Sequence, residues 1–131
     1  MNDRDMNHLH PALRLLAERW LILCRKQAIF PVIYYTYRSD AEQDELYAQG
    51  RTKKGRIVTN AKGGESKHNF TLDGKPASKA FDFFIERPDK SANWDPRSPE
   101  WQAAVAMGKQ LGLKWGGDFR SFYDPGHMEI A

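Results

Sequence analysis

Apolar residues recur at helical spacing near the start of the chain. Leu9, Leu13, Leu16, Trp20, Leu23 and Cys24 repeat while Arg14, Glu18, Arg19 and Arg25 fall on other faces. The pattern predicts an amphipathic helix of roughly 16–19 residues, with Pro11 tolerated in its first turn. His8 and His10 flank its start and do not share a helix face, which points to capping or exposed roles rather than to metal binding. The period then shortens: Pro31-Val-Ile-Tyr-Tyr-Thr-Tyr-Arg38, rich in β-branched and aromatic residues, reads as a strand. Ser39 followed by Glu42 forms a capping box for a helix over Asp40–Gln49 that stops at Gly50, with Leu46 and Tyr47 facing inward.

Arg51 to Ser66 carries Gly55, Gly63 and Gly64 and little apolar material, so it reads as loop. Its Arg51, Lys53, Lys54 and Arg56 fit either a solvated surface or the lining of a cleft. Ala80-Phe-Asp-Phe-Phe-Ile-Glu86 is a strand whose alternation puts Asp82 on the face of Phe84, opposite Phe81 and Phe83. Pro88 to Pro96 is a polar connection. Ser98 then caps a second amphipathic helix with Pro99 at its first position; Trp101, Ala104, Val105 and Leu111 face the core and Gly112 ends it. Leu113–Trp115 and His127–Ile130 are short strands around the segment Trp115-Gly-Gly-Asp-Phe-Arg-Ser-Phe-Tyr-Asp-Pro-Gly-His127. There the glycine pair permits a sharp turn, and Phe119 and Phe122 anchor the loop on a core. Strands and helices in this order predict an α+β fold, a small antiparallel sheet flanked by helices, in a single domain over residues 1–131.

Composition narrows the class. With 131 residues, 40% hydrophobic and 28% charged, the chain suits one folded core. A net charge of +3 favours an anionic partner without choosing one. Nucleic acid is not expected, because 20 Lys and Arg are interspersed with 17 Asp and Glu and form no basic stripe. Cys24, alone, excludes an internal disulfide and a Cys-rich zinc site, and its place on the apolar helix face predicts a buried, inert thiol. No apolar run of roughly 18 residues is present and the N-terminus is polar, so neither a membrane span nor a secretory signal is expected.

A metal site in this chain must use His, Asp and Glu, the donor set of catalytic zinc, where three protein ligands leave a position for water. The candidates are His68 at the end of the Gly-rich loop, Asp82 within its strand and His127 opening the last one. Asp82 needs a reason to lie among phenylalanines, since a buried carboxylate is costly unless paired or bound to metal. Each residue taken singly also has an ordinary structural reading. Asp124, three residues before His127, can shuttle protons for such a site.

The motifs Tyr37-Arg-Ser39 with Gln43, Leu46-Tyr47, Gly50-Arg-Thr52, Val58-Thr-Asn-Ala61, Ser66-Lys-His-Asn69, Ala80-Phe-Asp82 and Trp115-Gly-Gly-Asp118 through Asp124-Pro-Gly-His127 resemble one family in order. It is the zinc D-alanyl-D-alanine carboxypeptidase and L-alanyl-D-glutamate endopeptidase group, peptidase family M15, especially its phage endolysin branch. The likeness spans Ile33 to His127. One departure stands out: the family pattern S-x-H-x-x-G-x-A-x-D is lengthened here by Thr71-Leu-Asp-Gly-Lys-Pro-Ala77, an inserted turn expected to sit beside the metal and to alter substrate access. The Ala-x-Asp register favours Asp82 over Asp73 as the ligand.

The resemblance implies a Hedgehog/DD-peptidase-like fold and Zn2+ held by His68, Asp82 and His127. It implies Asp124 as general base and acid, and Arg38 as the group that stabilises the developing oxyanion; without it, Arg38 would read as a surface partner of Asp40 or Glu42. Ser66 and Gln43 are expected to support the loop or bind substrate, and Asp118 either to orient a ligand histidine or to close the Gly116-Gly117 turn. The implied partner is the peptidoglycan stem peptide, cut at L-Ala–D-Glu or alternatively at D-Ala–D-Ala, by a monomer without stable membrane insertion. The endolysin likeness implies a protein made in the host cytoplasm that acts on the cell wall after release. The competing class is a non-catalytic wall-binding module of the same fold; pure binding needs neither Asp124 nor Arg38.

Overall fold

The computed structural model describes residues 2–131. Its organising element is the strand here called β4, Ala80–Glu86, which exchanges hydrogen bonds along both edges. One edge pairs antiparallel with β1, Phe30–Tyr35. The other is shared by β7 (His127–Glu129), alongside Ala80–Asp82, and β5 (Ala92–Asn93), alongside Ile85 and Glu86. A backbone bond from Phe83 N–H to Gly126 C=O (2.8 Å) joins the two halves. β6, Lys114–Trp115, completes the five-stranded sheet against β7. Every pairing is antiparallel, as the α+β reading predicts.

Alternation along β4 decides which face is core. Phe81, Phe83 and Ile85 are fully buried on one side; Asp82, Phe84 and Glu86 are partly buried on the other. Two helices, α1 (Pro11–Lys26) and α3 (Pro99–Gln110), cover the first face. Trp20 packs edge-on against Phe83 at 5.0 Å and donates its indole N–H to Ala104 C=O; Phe83 meets Trp101 at 4.8 Å. Cys24 lies in this core with its thiol pushed up to about 12 by burial, the inert state expected. His10 caps α1 by accepting from Ala12 N–H, and His8 pairs with Asp3.

Several boundaries differ from the sequence pattern. β1 ends at Tyr35 rather than Arg38, because Thr36 N–H bonds to Asp3 C=O and Arg38 N–H to His68 C=O, which takes the backbone out of the ladder. The helix α2 (Asp40–Ala48) has the expected Ser39/Glu42 capping box, but its one buried residue is Gln43, while Leu46 and Tyr47 are half-exposed. Ser98 precedes α3 without capping it through its side chain, which instead bonds to Asp95 C=O. β5 lies inside the stretch read as a polar connection.

The inserted segment is a hairpin, β2 (Thr71–Leu72) with β3 (Lys75–Pro76). Asp73 and Gly74 both have positive φ, 53° and 75°, the two-residue turn that matches strand twist. Asp73 is therefore a turn residue, as the register argument required. The hairpin borders a separate hollow of about 280 Å³ with Asn7, Leu9 and Pro11 rather than the main cleft.

Trp20 bridges both helices and the sheet. Trp20→Ala is expected to lower unfolding free energy by about 3–5 kcal/mol; denaturant titration followed by far-UV circular dichroism measures it, and a loss under about 1 kcal/mol would contradict this packing.

Candidate metal centre

The sheet register brings the site together. Asp82 pairs with Tyr35 on β1 and with His127 on β7, so its side chain and that of His127 emerge side by side on the face away from the core. His68 arrives from a 3-10 turn, Lys67–Asn69, that Ser66 caps through its hydroxyl and Asn69 closes reciprocally. The result is convergence: His68 Nε2 lies 3.2 Å and His127 Nδ1 3.3 Å from the same oxygen, Asp82 Oδ1, and the three candidate donor atoms fall within 4.8 Å of one another. Bonds of about 2.0–2.1 Å to a tetrahedral ion would separate adjacent donors by roughly 3.3 Å. The donor set fits such an ion.

Both imidazoles are held from behind. His68 Nδ1 is 2.8 Å from Thr36 C=O, which only accepts, so that nitrogen carries the hydrogen and the lone pair of Nε2 is left to face the centre beside Asp82 as a metal ligand. His127 Nε2 lies 2.8 Å from Glu129 Oε1, which leaves Nδ1 for the centre. Glu129 is in turn held by Lys67 Nζ at 2.7 Å. Burial works against a charge on Asp82, yet the pull of His68 and the hydrogen bonds from His127 and His68 outweigh it and hold the carboxyl well below its usual range. Burial alone would lower His127; the hydrogen bonds to Asp82 and Glu129 outweigh it and raise the ring to about 9. A site that holds a proton so tightly between carboxylates is one where a divalent cation can take the proton's place.

Asp124 and Arg38 border this centre. Asp124 Oδ2 is 3.7 Å from His127 Nδ1, half-exposed to the cleft, and its carboxyl is raised by burial and then by the Asp82 charge. Arg38 is buried rather than on the surface. Its Nη1 donates to Gln43 at 3.0 Å, its Nη2 lies 3.4 Å from Asp82 Oδ2, and its guanidinium stacks 4.1 Å above Tyr35. The surface pairing with Asp40 or Glu42 is absent from this arrangement. A β-bulge between Ile33 and Tyr35 turns Tyr34 and Tyr35 both toward the cleft, a device common beside active sites. The cleft has a volume of about 680 Å³ and is lined by all five residues as well as Ser66, Lys67, Phe119 and Phe122.

Residues 59–130 match the M15 peptidase family described as D-alanyl-D-alanine carboxypeptidase. The chain is also 41% identical over 129 residues to the peptidoglycan L-alanyl-D-glutamate endopeptidase CwlK of Bacillus subtilis strain 168, covering 93% of this chain and 73% of that protein. This chain belongs to the M15 peptidases. Its fold is that of the Serratia marcescens L-Ala D-Glu endopeptidase ChiX, with a TM-score of 0.57 at 18% identity over 100% of this chain and 89% of the other.

Other residues of this M15 peptidase take places the motifs did not indicate. Of the two roles expected for Gln43, the structure shows loop support: it is 1% exposed, and its amide accepts from Arg38 and donates to Ala61 C=O, beneath the guanidinium rather than in the cleft. Asp118 neither orients a histidine nor closes the turn through its side chain; it pairs with Lys109 at 2.7 Å. The ligand support falls to Glu129, which the sequence places in the last strand with no assigned role; its position two residues after His127, on the same strand face, is the available signal. Phe119 and Phe122 line the cleft, Phe119 edge-on to His127 at 5.6 Å, instead of anchoring on the core. Arg51 stacks on Tyr47 and holds Thr59 C=O, Lys53 pairs with Glu45, and neither they nor Lys54 and Arg56 line the cleft. No residue of the inserted hairpin lines it either.

Gly116 and Gly117 lack positive φ, so sharp turning is not their role. Gly116 accepts the Asp124 backbone directly over its Cα: a Cβ there would overlap Asp124 C=O and approach His127 Cβ to 2.9 Å. Gly116→Ala is accordingly expected to lower activity more than tenfold while retaining the fold, measured by turnover beside circular dichroism; wild-type turnover would count against close approach as the reason. Glu129→Ala is expected to weaken metal affinity by about 10–100-fold, read by chelator competition. Unchanged affinity would show that Glu129 does not hold His127 in place.

Proposed function

We propose that this M15 peptidase is a zinc-dependent endopeptidase that hydrolyses the L-Ala–D-Glu bond of the peptidoglycan stem peptide. The observation that carries the reading is the convergence of His68, Asp82 and His127 on one point, with Asp124 and Arg38 at its rim. The bond is suggested by the identity with CwlK. His68 Nε2, Asp82 Oδ1 and His127 Nδ1 would hold the ion; two imidazoles and one carboxylate with room for water are a donor set for catalytic zinc. When bound, zinc supplies Lewis acidity and lowers the pKa of water toward neutrality.

The remaining roles belong to the chain. Asp124 accepts a proton from the attacking water and delivers it to the leaving amine, and its raised affinity for protons suits a group that must both take and release one. Arg38, fixed by Gln43 and Tyr35, offers a cation to the charge that develops on the carbonyl oxygen. Ser66 shapes the turn that presents His68. The cleft also bears on which bond is cut. A carboxypeptidase needs a further cation for the terminal carboxylate, whereas of the two Arg or Lys residues lining this cleft Arg38 is assigned to the oxyanion and Lys67 is held by Glu129. That favours an internal bond over D-Ala–D-Ala. Among the described residues no helix is long and apolar enough to cross a membrane; action on the wall after release from a host cell, as a phage lysis protein, rests on motif likeness alone.

Mass spectrometry of purified peptidoglycan digested by zinc-loaded protein tests the proposal. New C-terminal L-Ala and N-terminal D-Glu are expected from wild type. Asp124→Ala should retain zinc and lose about 10²–10⁴-fold in rate. Release of free D-Ala would replace the endopeptidase reading with the carboxypeptidase one, and absence of any product would leave a binding module.

A further inference from the structure

The open face of the sheet carries a second feature next to the cleft. Tyr34, Phe84 and Trp94 form a closed aromatic group: Trp94 lies 4.9 Å from Phe84 at 36°, and Tyr34 meets Trp94 edge-on at 5.6 Å and Phe84 at 5.9 Å. Tyr34 belongs to both places. Its ring lines the cleft, and its hydroxyl comes within 3.9 Å of where a Cβ on Gly126 would sit, between Asp124 and His127. Trp94 nevertheless leaves 56% of its surface to solvent.

Such exposure is not looseness. Asn93, immediately before Trp94, pairs with Ile85 in the sheet, accepts the Trp101 indole N–H at 2.9 Å and donates to Ser98 at 3.0 Å. Asp95 N–H, immediately after, bonds to the Asn93 side chain at 2.8 Å. The indole is thus presented from a fixed backbone. Trp20, Trp101 and Trp115 donate their indole N–H groups to the carbonyls of Ala104, Asn93 and Pro125, whereas that of Trp94 meets no acceptor among the described residues. A rigid aromatic surface whose outermost indole keeps a free N–H suits a ligand that is apolar on its faces and hydroxylated at its edge.

We propose that Tyr34, Phe84 and Trp94 form a subsite for a pyranose ring of the glycan strand, continuous with the metal cleft. The inference rests on the L-Ala–D-Glu reading, because in peptidoglycan the L-Ala is joined directly to the lactyl group of the muramic sugar. With that bond at the metal centre, one residue separates the reacting carbonyl from the sugar. The opposite arm of the stem peptide carries charged residues, for which an aromatic surface is a poor seat. The C–H face of the sugar packs on the indole, and a ring hydroxyl accepts its N–H.

Calorimetry separates this subsite from the cleavage reaction. A disaccharide-tetrapeptide muropeptide and the same peptide without sugar are titrated into zinc-loaded Asp124→Ala, which should bind without cutting. The muropeptide is expected to bind about tenfold more tightly, and Trp94→Ala in that background should remove the difference while leaving the sugar-free peptide unchanged. Trp94→Phe should restore part of it, since a ring remains without the N–H. Equal affinities for the two ligands, or an equal loss for both on Trp94→Ala, would overturn the subsite. Where wild type cuts, read by mass spectrometry, tests the bond assignment separately: preferential sugar binding with cleavage elsewhere would remove that assignment and keep the subsite.

Discussion

One carboxylate constrains the rest of this molecule. Asp82 is set into the central strand with Phe81, Phe83 and Ile85 buried on the opposite face, and a slip of one residue would exchange them for a charge in the core. The hydrophobic register therefore fixes where the carboxylate points. Burial resists its ionisation, and only the surrounding imidazoles and the Arg38 guanidinium make the anion tolerable. The fold and the site have a common requirement: positive charge at this point.

The support around Asp82 is built from residues next to the ligands in sequence. Lys67 precedes His68, Glu129 follows His127 by two, and their ion pair ties the 3-10 turn to β7. Arg38 is treated similarly, with Gln43 one turn into α2 below it and Tyr35 above. Its Nε meets no acceptor among the described residues, so protein contacts do not saturate the guanidinium. A cation held by packing and incompletely neutralised is better placed to respond to new charge in the cleft than one on a mobile surface chain.

What the sequence disclosed follows from the range of each interaction. The period of α1, the Ser39 capping box, the alternation around Asp82 and the Asp73-Gly74 turn are decided within a few residues, and all are legible. The early end of β1 depends on Asp3 and His68, distant in sequence, and no local pattern announces them. β5 is only two residues long and is held by backbone pairing and the bonds of Asn93, so it carries no hydrophobic period. The glycine pair predicts a sharp turn, whereas Gly116 serves to leave room for Asp124, a contact that exists only once the loop has closed. Glu129 takes its role from the bond to His127, a side-chain contact that no periodicity in the strand announces.

The inserted hairpin shows why ligand spacing along the chain is a weak guide to ligand geometry. Ala77 N–H bonds to Phe70 C=O at 3.0 Å, so the chain leaves and re-enters the fold at one place, and the excursion between them adds no separation. The Asp73-Gly74 turn and the β2–β3 pairing close the segment on itself. Its far end lies over the start of α1, away from the cleft. His68 is positioned instead by its bond to Thr36 and by the Ser66 cap, and Asp82 by two neighbouring strands. None of these contacts passes through residues 71–76. Length can therefore vary there without moving a donor atom, whereas a one-residue change in the β4–β7 register would separate Asp82 from His127.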